Sequence, residues 1–282
     1  MNNLHAMING QLVLEKDAAL GINDLSIVRG YGIFDFFKTI ESCPVFFQDN
    51  LDRFFHSAKI MDLPIPFSRK ELTAQIQAII KINNIPDSGI KLILTGGYSP
   101  DAYTIAKPNL IVTQQPLKIN HQQQKEGIKL ITYDFQRSIP EAKTIDYTMG
   151  IKALKSAKEK GADDVVYMSS GVLTECPRAN IFIFNKDNEL ITPAHNVLKG
   201  ITRKHLLRIG KELFTVKEQI ITYQDLEHAK EVFICSTTKD ITPVLEIDSI
   251  RYGDSPGEHT KALQKAWKEE LRKQIQSFTP VS

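Results

Sequence analysis

Apolar positions recur along the chain with two periods, and they predict a protein of mixed helices and strands. Asn9-Gly10 lies between apolar residues, and because both positions accept positive φ angles, residues 7–15 are predicted to form a β-hairpin. Short runs rich in β-branched and aromatic residues predict buried strands. These strands are expected at residues 29–40, 90–95, 110–112, 128–133, 165–168, 181–184, 232–235 and 241–247.

Helical spacing of apolar residues predicts helices between these strands. Asp49-Asn50 would cap one helix, which puts Arg53 in its first turn, and Ser68-Arg-Lys-Glu71 matches a capping box that begins another. A cation in the first turn opposes the helix macrodipole, so Arg53 is expected to have a purpose other than helix stability. Further buried helix faces are expected at Ile151, Leu154 and Ala157 before an end at Gly161, at Leu206, Leu207, Ile209 and Leu213, and at Leu263, Trp267, Leu271 and Ile275.

A polar stretch near the middle of the chain predicts two domains. Residues 114–127 contain Pro116, several glutamines and few apolar side chains, which is typical of a connection between domains. The expected organisation is a small N-terminal α/β domain over residues 1–117, an interdomain linker at 118–126 and a larger C-terminal α/β domain over 127–282. The fold class expected from this pattern is α+β.

Composition and charge favour a small-molecule partner. The chain has 282 residues, 42% hydrophobic and 24% charged, which is enough for two globular domains. A net charge of +2 without a block of like charges gives no electrostatic footprint for nucleic acid or a membrane. No apolar run is long enough to span a bilayer, and the N-terminus lacks the pattern of a secretory signal.

The cysteines and histidines predict neither a disulfide framework nor a metal site. Cys43, Cys176 and Cys235 are odd in number, far apart and without Cys-x-x-Cys spacing, and the histidines show no metal-ligand spacing. These features predict a cytoplasmic protein without a bound metal.

The residues with the clearest chemical meaning are Lys143 and Glu175. Lys143 lies in a Pro-flanked loop, Ser138-Ile-Pro-Glu-Ala-Lys143, and Glu175 comes just before an apolar strand. An amine that bonds to an aldehyde and a carboxylate that faces a pyridine nitrogen are the two groups that pyridoxal phosphate chemistry requires. The alternative for these two residues alone is a solvated loop lysine and a glutamate at a strand edge.

Four sequence motifs that follow one another along the chain favour a catalytic role for Lys143 and Glu175 over the alternative. They are Lys143-Thr-Ile-Asp-Tyr, Leu173-Thr-Glu175-Cys-Pro-Arg178-Ala-Asn180-Ile-Phe, Leu198-Lys-Gly-Ile-Thr202-Arg, and Ser236-Thr237-Thr238-Lys-Asp-Ile-Thr-Pro243. Together with Arg29-Gly-Tyr31-Gly-Ile-Phe-Asp35 and Asp52-Arg53, they resemble the class IV aminotransferases, which are fold type IV pyridoxal-phosphate enzymes. The resemblance covers nearly the whole chain and is strongest to D-amino-acid aminotransferases.

The resemblance implies a fold, a cofactor and the roles of two catalytic residues. It implies two mixed α/β domains of the D-amino-acid aminotransferase type, with pyridoxal 5'-phosphate in the cleft and Lys143 in the C-terminal domain. Lys143 would bond to the cofactor and, once released by the substrate amine, act as general base and acid. Glu175 would keep the ring nitrogen protonated, so that the ring absorbs the charge of the carbanion.

The resemblance also implies the residues that hold the cofactor. These are Arg53, Lys143, Glu175, Asn180, Ile201, Thr202 and Thr237. Ile201 and Thr202 begin a predicted helix, whose free amides suit a phosphate, and Ser236-Thr237-Thr238 follows a buried strand and can offer hydroxyls and amides to an anion. The alternative for Arg53 is a surface ion pair with Asp49 or Asp52.

The substrate-binding residues do not follow directly from the resemblance, because the chain departs from the family pattern. D-amino-acid aminotransferases carry an Arg and a His for the substrate carboxylate after a Ser-Pro pair, and here those places hold Asp101 and Tyr103. Asp146 stands where the D-amino-acid and lyase branches commonly have Asn. A carboxylate needs charge-assisted donors. The candidates for the substrate site are Arg29, Tyr31, Lys38, Lys91, Arg178 and Thr238, and for Tyr31 a core position with a satisfied hydroxyl is the alternative.

The function expected from the resemblance is transfer of an amino group between a D-amino acid and a 2-oxo acid. A branched-chain L-amino-acid aminotransferase and an aminodeoxychorismate lyase are the alternatives. The family resemblance further implies a homodimer in which loops of one subunit close the site of the other.

Overall fold

The structure, a computed structural model, describes residues 4–278 of the chain. These residues form two compact units. The first unit contains the described residues up to Lys118, the short segment Ala142–Asp146 and the described residues from Gln274 onward. The second unit contains Ile119–Glu141 and Tyr147–Lys273.

The first unit is built on a six-stranded sheet in the order β2-β1-β6-β5-β3-β4. Its elements are β1 (His5–Ile8), β2 (Gln11–Leu14), α1 (Leu25–Val28), β3 (Gly32–Ile40), β4 (Cys43–Pro44), α2 (Phe47–Ile60), α3 (Arg69–Asn83), β5 (Ser88–Thr95) and β6 (Leu110–Pro116). Neighbouring strands in this sheet pair antiparallel. The core lies where α2 and α3 pack on the sheet through residues such as Phe37, Phe54 and Ile76, all fully buried.

Two local predictions in this unit are confirmed. Strands β1 and β2 form the hairpin around Asn9-Gly10, whose φ angles of 53° and 82° are the positive values that the turn requires. Helix α3 begins with the capping box, since the Ser68 hydroxyl accepts the Glu71 amide and the Glu71 carboxylate accepts the Ser68 amide.

The start of α2 differs from the expectation. The helix begins at Phe47, after Phe46 in a left-handed conformation with φ of 50°, rather than after Asp49-Asn50. Arg53 therefore lies in the second turn, where the macrodipole opposes a cation less than in the first. The argument from helix polarity is corrected, and the reason for Arg53 must be found in its contacts.

The segment that carries Lys143 belongs to the first unit, which corrects its assignment to the C-terminal domain. The amide of Phe34 donates to the Lys143 carbonyl at 2.9 Å, and the amide of Ile145 donates to the Gly32 carbonyl at 3.1 Å. Thr144 and Ile33 form an antiparallel bridge between these bonds. The segment is thus an addition to the edge of β3, made by residues more than a hundred positions away in sequence.

The second unit contains an eleven-stranded sheet. Its elements are α4 (His121–Glu126), β7 (Ile128–Asp134), α5 (Thr148–Glu159), β8 (Asp164–Ser169), β9 (Val172–Leu173), β10 (Glu175–Cys176), β11 (Ala179–Phe184), β12 (Leu190–Pro193), α6 (Ile201–Leu213), β13 (Val216–Gln219), β14 (Ile221–Thr222), α7 (Tyr223–Glu227), β15 (Glu231–Ser236), β16 (Asp240–Ile247), β17 (Ile250–Arg251) and α8 (Glu258–Gln276). The central strands β11, β15 and β16 pair antiparallel, whereas β7 runs parallel to both β16 and β8.

Two expectations for this unit are corrected. Residues 121–126, expected in a linker, form α4, and Gln124 of this helix donates to the carbonyl of Lys239 at 3.2 Å. The buried face of α5 is formed by Gly150, Ala153 and Ala157, while Ile151 is 72% exposed. The residues of α5 that pack on the sheet have small side chains. The buried face predicted from the larger apolar residues was therefore rotated about the helix axis from the observed one.

The closing helix α8 follows its predicted pattern. Leu263 and Trp267 are buried, and Leu271 and Ile275 are half-buried. No helix in residues 4–278 is both long and apolar enough to cross a membrane. All three cysteines of the chain are buried and unpaired.

Candidate active site

Lys143 is held through its backbone between β3 and α2 of the first unit. Its carbonyl accepts the amide of Phe34, and its amide donates to the Ser57 hydroxyl of α2 at 3.1 Å. The side chain is half-buried, and Nζ lies 4.5 Å from the centre of the Phe34 ring. An amine over an aromatic face gains cation–π attraction when it is protonated. The structure therefore fixes both the backbone and the amine end of the predicted catalytic lysine.

Arg53 forms a buried ion pair with an acid that sequence reasoning did not consider. Its Nε and Nη2 donate to the two carboxylate oxygens of Asp35 on β3, each at 2.8 Å, and Nη2 also contacts Asn50 Oδ1 at 3.3 Å. The side chain of Asp35 is fully buried, and that of Arg53 is 10% exposed. Asp52 instead pairs with Arg69. The bidentate pairing orients the guanidinium, whose Nη1 takes part in none of these bonds.

Tyr31 lies in the core of the first unit. Its hydroxyl donates to the Met61 carbonyl at 2.8 Å, and its ring packs against the buried residues of α2 and the sheet. Burial and, to a lesser extent, the charge of Asp62 raise the pKa of this hydroxyl. These contacts are those expected of a core tyrosine with a satisfied hydroxyl, which was the alternative to a substrate-binding role for Tyr31.

The cationic candidates of the first unit differ in exposure. Lys38 is buried on β3 and Lys91 is exposed on β5. Arg29 is exposed at the end of α1, where its Nε donates to the Ala102 carbonyl at 3.0 Å. Arg29 therefore lies beside the loop that contains Asp101 and Tyr103.

Asp101 organises that loop. Its carboxylate accepts the amides of Tyr103 and Thr104 and the hydroxyls of Ser99 and Thr104, at 2.7–3.0 Å. Donors from Thr104, then Tyr103 and Ser99, hold the pKa of this carboxyl well below its usual range. Ala102 at the loop tip has a φ of 60°, and Tyr103 is 82% exposed. Asp101 therefore shapes the loop rather than offering a free group to a substrate.

In the second unit, Glu175 is a buried carboxylate with two different partners. Its Oε2 accepts the amide of Leu198 at 2.9 Å, and its Oε1 lies 3.3 Å from Arg137 Nη1. The side chain is 6% exposed. Both partners favour the ionised form, which burial alone would disfavour.

Leu198 connects Glu175 to the start of α6. While its amide donates to Glu175, its carbonyl accepts the side-chain amide of Asn180 at 2.8 Å. Two residues later Gly200 precedes the helix, and a Cβ at this position would collide with Asn180 Oδ1. Asn180 is thus placed where it sets the path of residues 198–200, and only glycine fits beside it.

Helix α6 begins at Ile201 with no side-chain cap. Ile201 and Thr202 are both buried. The first amides of an α-helix have no partner within the helix, and the macrodipole makes this end attractive to an anion. The start of α6 is therefore chemically suited to a phosphate, and the binding of a phosphate there stays a prediction.

The turn after β15 is supported by α4 and α8. Thr237 is half-buried and Thr238 is exposed. On the far side of the turn, Trp267 donates its indole N–H to Asp240 at 2.9 Å, and the Gln124 amide donates to the Lys239 carbonyl. Trp267, expected only to pack, also fixes this turn. Arg178 is exposed.

Arg137 is a second residue of the candidate active site, besides Asp35, whose contact was not predicted from the sequence. It lies six positions before Lys143, in the same Pro-containing loop, so its position was a signal that could have been used. Its contact with Glu175 joins residues 38 positions apart and could not be read from spacing.

The fold and these groups together define the class. The first unit holds a half-buried lysine on a strand edge, and the second holds a buried carboxylate tied to an uncapped helix start, as expected for a fold type IV aminotransferase. The family model described as Amino-transferase class IV matches residues 32–247. The chain therefore belongs to the class IV aminotransferase family.

Similar proteins carry two kinds of name. The chain is 31% identical to a D-alanine aminotransferase of Listeria monocytogenes, over 95% of this chain and 96% of that protein. It is 30% identical to a putative branched-chain-amino-acid aminotransferase of Methanocaldococcus jannaschii, over 93% and 94%. The fold matches the branched-chain aminotransferase of Thermoproteus uzoniensis with norvaline, with a TM-score of 0.88, 24% identity and coverage of 99% of each chain.

Class IV aminotransferases depend on pyridoxal 5'-phosphate, and the donor set of this chain fits that group. Lys143 supplies an amine for the aldehyde, Glu175 an acceptor for the ring N–H, and the uncapped start of α6 amides for the phosphate. The predictions of the family, the fold class and the cofactor are confirmed.

The contact between Gly200 and Asn180 generates a prediction for cofactor binding. Gly200→Ala should lower stability by about 1–3 kcal/mol and weaken pyridoxal phosphate binding, because the new methyl displaces Asn180 and with it Leu198. Thermal unfolding and cofactor titration would measure both effects.

A double variant provides the control. When Gly200→Ala is combined with Asn180→Ala, the colliding oxygen is absent, so Gly200→Ala should cost less in that background than in the wild type. Strict additivity of the two effects would show that the packing of Gly200 on Asn180 does not position Leu198.

Proposed function

We propose that this class IV aminotransferase moves the amino group between a D-amino acid and a 2-oxo acid, and that Arg29 receives the substrate carboxylate. The observation that carries the proposal is the hydrogen bond from Arg29 Nε to the Ala102 carbonyl, at the tip of the loop ordered by Asp101. In the D-amino-acid enzymes this loop brings cationic groups to the carboxylate. Here Asp101 and Tyr103 stand in their places, and Arg29 supplies a charge-assisted donor beside the same loop.

Lys143 carries the proton transfers in this proposal. Pyridoxal phosphate, when bound, supplies the electron sink for the carbanion. Lys143 would hold the cofactor through its amine, and once a substrate amine frees it, the same amine would take up the proton that the substrate α carbon loses and return it later. The Phe34 ring and the backbone bonds to Ser57 and Phe34 support this role, because they limit the positions of the amine.

Glu175 and the anion-binding groups orient the cofactor. The buried, ionised carboxylate of Glu175 would accept a hydrogen bond from the protonated ring nitrogen and so favour the cationic ring. The amides of Ile201 and Thr202 and the Thr237 hydroxyl bind the phosphate, with Arg53 as a further cation. Asn180 acts on this arrangement through Leu198.

The role of Lys143 can be tested by chemical trapping. The purified enzyme with pyridoxal phosphate should show a visible absorption band that borohydride abolishes, leaving a reduced adduct on the peptide that contains Lys143. Lys143→Ala should lose the adduct and at least about 10²-fold in turnover, since it removes the general base.

Lys155→Ala is the matched control, because this lysine is 81% exposed on α5. It should retain both the band and the turnover. An adduct that maps to a lysine other than Lys143 would show that the catalytic assignment is wrong.

A half-reaction screen tests the substrate. The pyridoxal form is mixed with the D- and L-forms of alanine, glutamate and leucine, and the loss of the visible band is followed. We expect conversion by D-alanine or D-glutamate, and Arg29→Gln should raise KM for them about 10- to 100-fold, because a hydrogen bond to a charged group contributes about 1.5–3 kcal/mol. Arg69→Gln is the control, because this half-exposed arginine of the same unit bonds to Asp52 and Gln48 rather than to the Asp101 loop.

The other outcomes of the screen identify the alternatives. Conversion by L-leucine without conversion by either D-amino acid would assign the enzyme to branched-chain substrates, the activity in the name of the archaeal relative. No conversion by any amino acid, with release of pyruvate from aminodeoxychorismate, would make it a lyase. If KM responds to Lys38, Lys91, Arg178 or Thr238 variants instead of Arg29→Gln, the carboxylate site is there.

We further propose that the enzyme is a homodimer. Large apolar side chains are exposed in two segments, one around α1 and the other in the loop after β5. They are Ile22 and Ile27 in the first segment, and Tyr98, Tyr103 and Ile105 in the second. The two segments adjoin, since the Gly21 amide donates to the Tyr98 hydroxyl at 3.3 Å and Asp24 forms a bridge with Tyr98. An exposed apolar patch of this kind is typical of an interaction surface.

Sedimentation at micromolar concentration checks the dimer. The wild type should sediment as a dimer, and Ile22→Asp combined with Tyr103→Asp should dissociate it, because buried charges in an apolar interface are unfavourable. Ile151→Asp, on the exposed face of α5, should leave the dimer intact. A monomeric wild type would overturn the proposal.

A further inference from the structure

Arg137 places a guanidinium against Glu175. Nη1 lies 3.3 Å from Glu175 Oε1 and donates to the Pro140 carbonyl at 3.1 Å. The side chains of Arg137 and Glu175 are 13% and 6% exposed, so little water screens the contact. The same nitrogen therefore joins the carboxylate to the loop that leads to Lys143.

We propose that Arg137 is a positioning residue that keeps Glu175 ionised and correctly oriented at neutral pH. The inference rests on the role proposed above for Glu175. Arg137 acts through Glu175, because the ring nitrogen can be held protonated only by a carboxylate that has not itself taken up the proton. The Leu198 amide orients one oxygen of Glu175, and Arg137 neutralises the charge at the other.

Two titratable neighbours, Tyr167 and Cys176, respond to the charges around Glu175. Burial, followed by the charges of Asp164 and Glu175, raises the pKa of Tyr167, and Arg137 opposes that rise. Burial and Asp164 likewise raise the pKa of Cys176, with Lys239 in opposition. Tyr167 and Cys176 therefore stay neutral.

Asp164 is the other negative charge that acts on both Tyr167 and Cys176, and it pairs with Lys239 at 3.6 Å. Arg137 is a cation that contacts Glu175 itself, with Nη1 3.3 Å from Oε1. Without this contact, burial would favour the protonated form of Glu175.

The test removes the charge and follows the protonation of Glu175 directly. Infrared spectra of the cofactor-free proteins are recorded across pH, and the carboxylic-acid band is compared between Arg137→Met and Arg137→Met with Glu175→Gln. We expect the band at pH 7 only in the single variant. The pH profile of the half-reaction with bound pyridoxal phosphate should move up by about one to three pH units.

The direction in which the pH profile shifts follows from the ionisation of Glu175. Glu175 of the variant is protonated at neutral pH and ionises only as pH rises, so the rate at pH 7 falls at least about tenfold and recovers in alkali. Arg137→Lys, which keeps the charge, should stay close to the wild-type profile. Arg251→Met removes an exposed arginine that pairs with Asp254 at 2.7 Å, and it should change neither measurement.

Two results would overturn the inference in distinguishable ways. A uniform loss of rate in Arg137→Met, without a shifted profile or an acid band, would reduce Arg137 to a structural contact and leave the role of Glu175 intact. Wild-type turnover in Glu175→Gln would remove the proposed role of Glu175 itself. If Arg137→Met does not fold, Arg137→Gln is compared with Arg137→Lys, and equal profiles in these two would overturn the inference.

Discussion

A carboxylate buried in a protein interior stays ionised only when donors and cations compensate for the water it has lost, and the second unit is arranged around this requirement at Glu175. One oxygen takes the amide of Leu198, and the other faces Arg137. Leu198 in turn is held by Asn180, which leaves space only for glycine at position 200 and so determines where α6 begins. The acid and the segment that leads into the uncapped start of α6 are therefore parts of one hydrogen-bonded network.

In the first unit, contacts restrict the position of a flexible side chain, that of Lys143. A lysine side chain has several rotatable bonds, so its amine is positioned only if the backbone is fixed and the end of the chain has a partner. The bonds of residues 143 and 145 with β3 fix the backbone, and the Phe34 ring lies under the amine. Arg53 is oriented by the same strand, because Asp35 on β3 accepts both of its donors.

The loop around Asp101 is ordered by its own acid. Asp101 accepts the amides and hydroxyls of its neighbours, and Arg29, at the end of α1, donates to the Ala102 carbonyl at the loop tip. The relatives named for D-alanine and for branched-chain amino acids are nearly equal in identity to this chain. Overall similarity therefore does not decide the substrate.

The sequence by itself determined the elements whose signals are local. The Asn9-Gly10 hairpin, the Ser68 capping box, the buried strands and the apolar face of α8 all depend on residues within one or two turns of each other, and the family motifs identified Lys143 and Glu175. Only the tertiary structure decided the pairing of Arg53 with Asp35, the contact of Arg137 with Glu175, the exposure of Ile151 and the addition of residues 142–146 to β3. Each of these features depends on which distant strand or helix lies beside the residue. Packing between elements determines this, and the local sequence pattern does not.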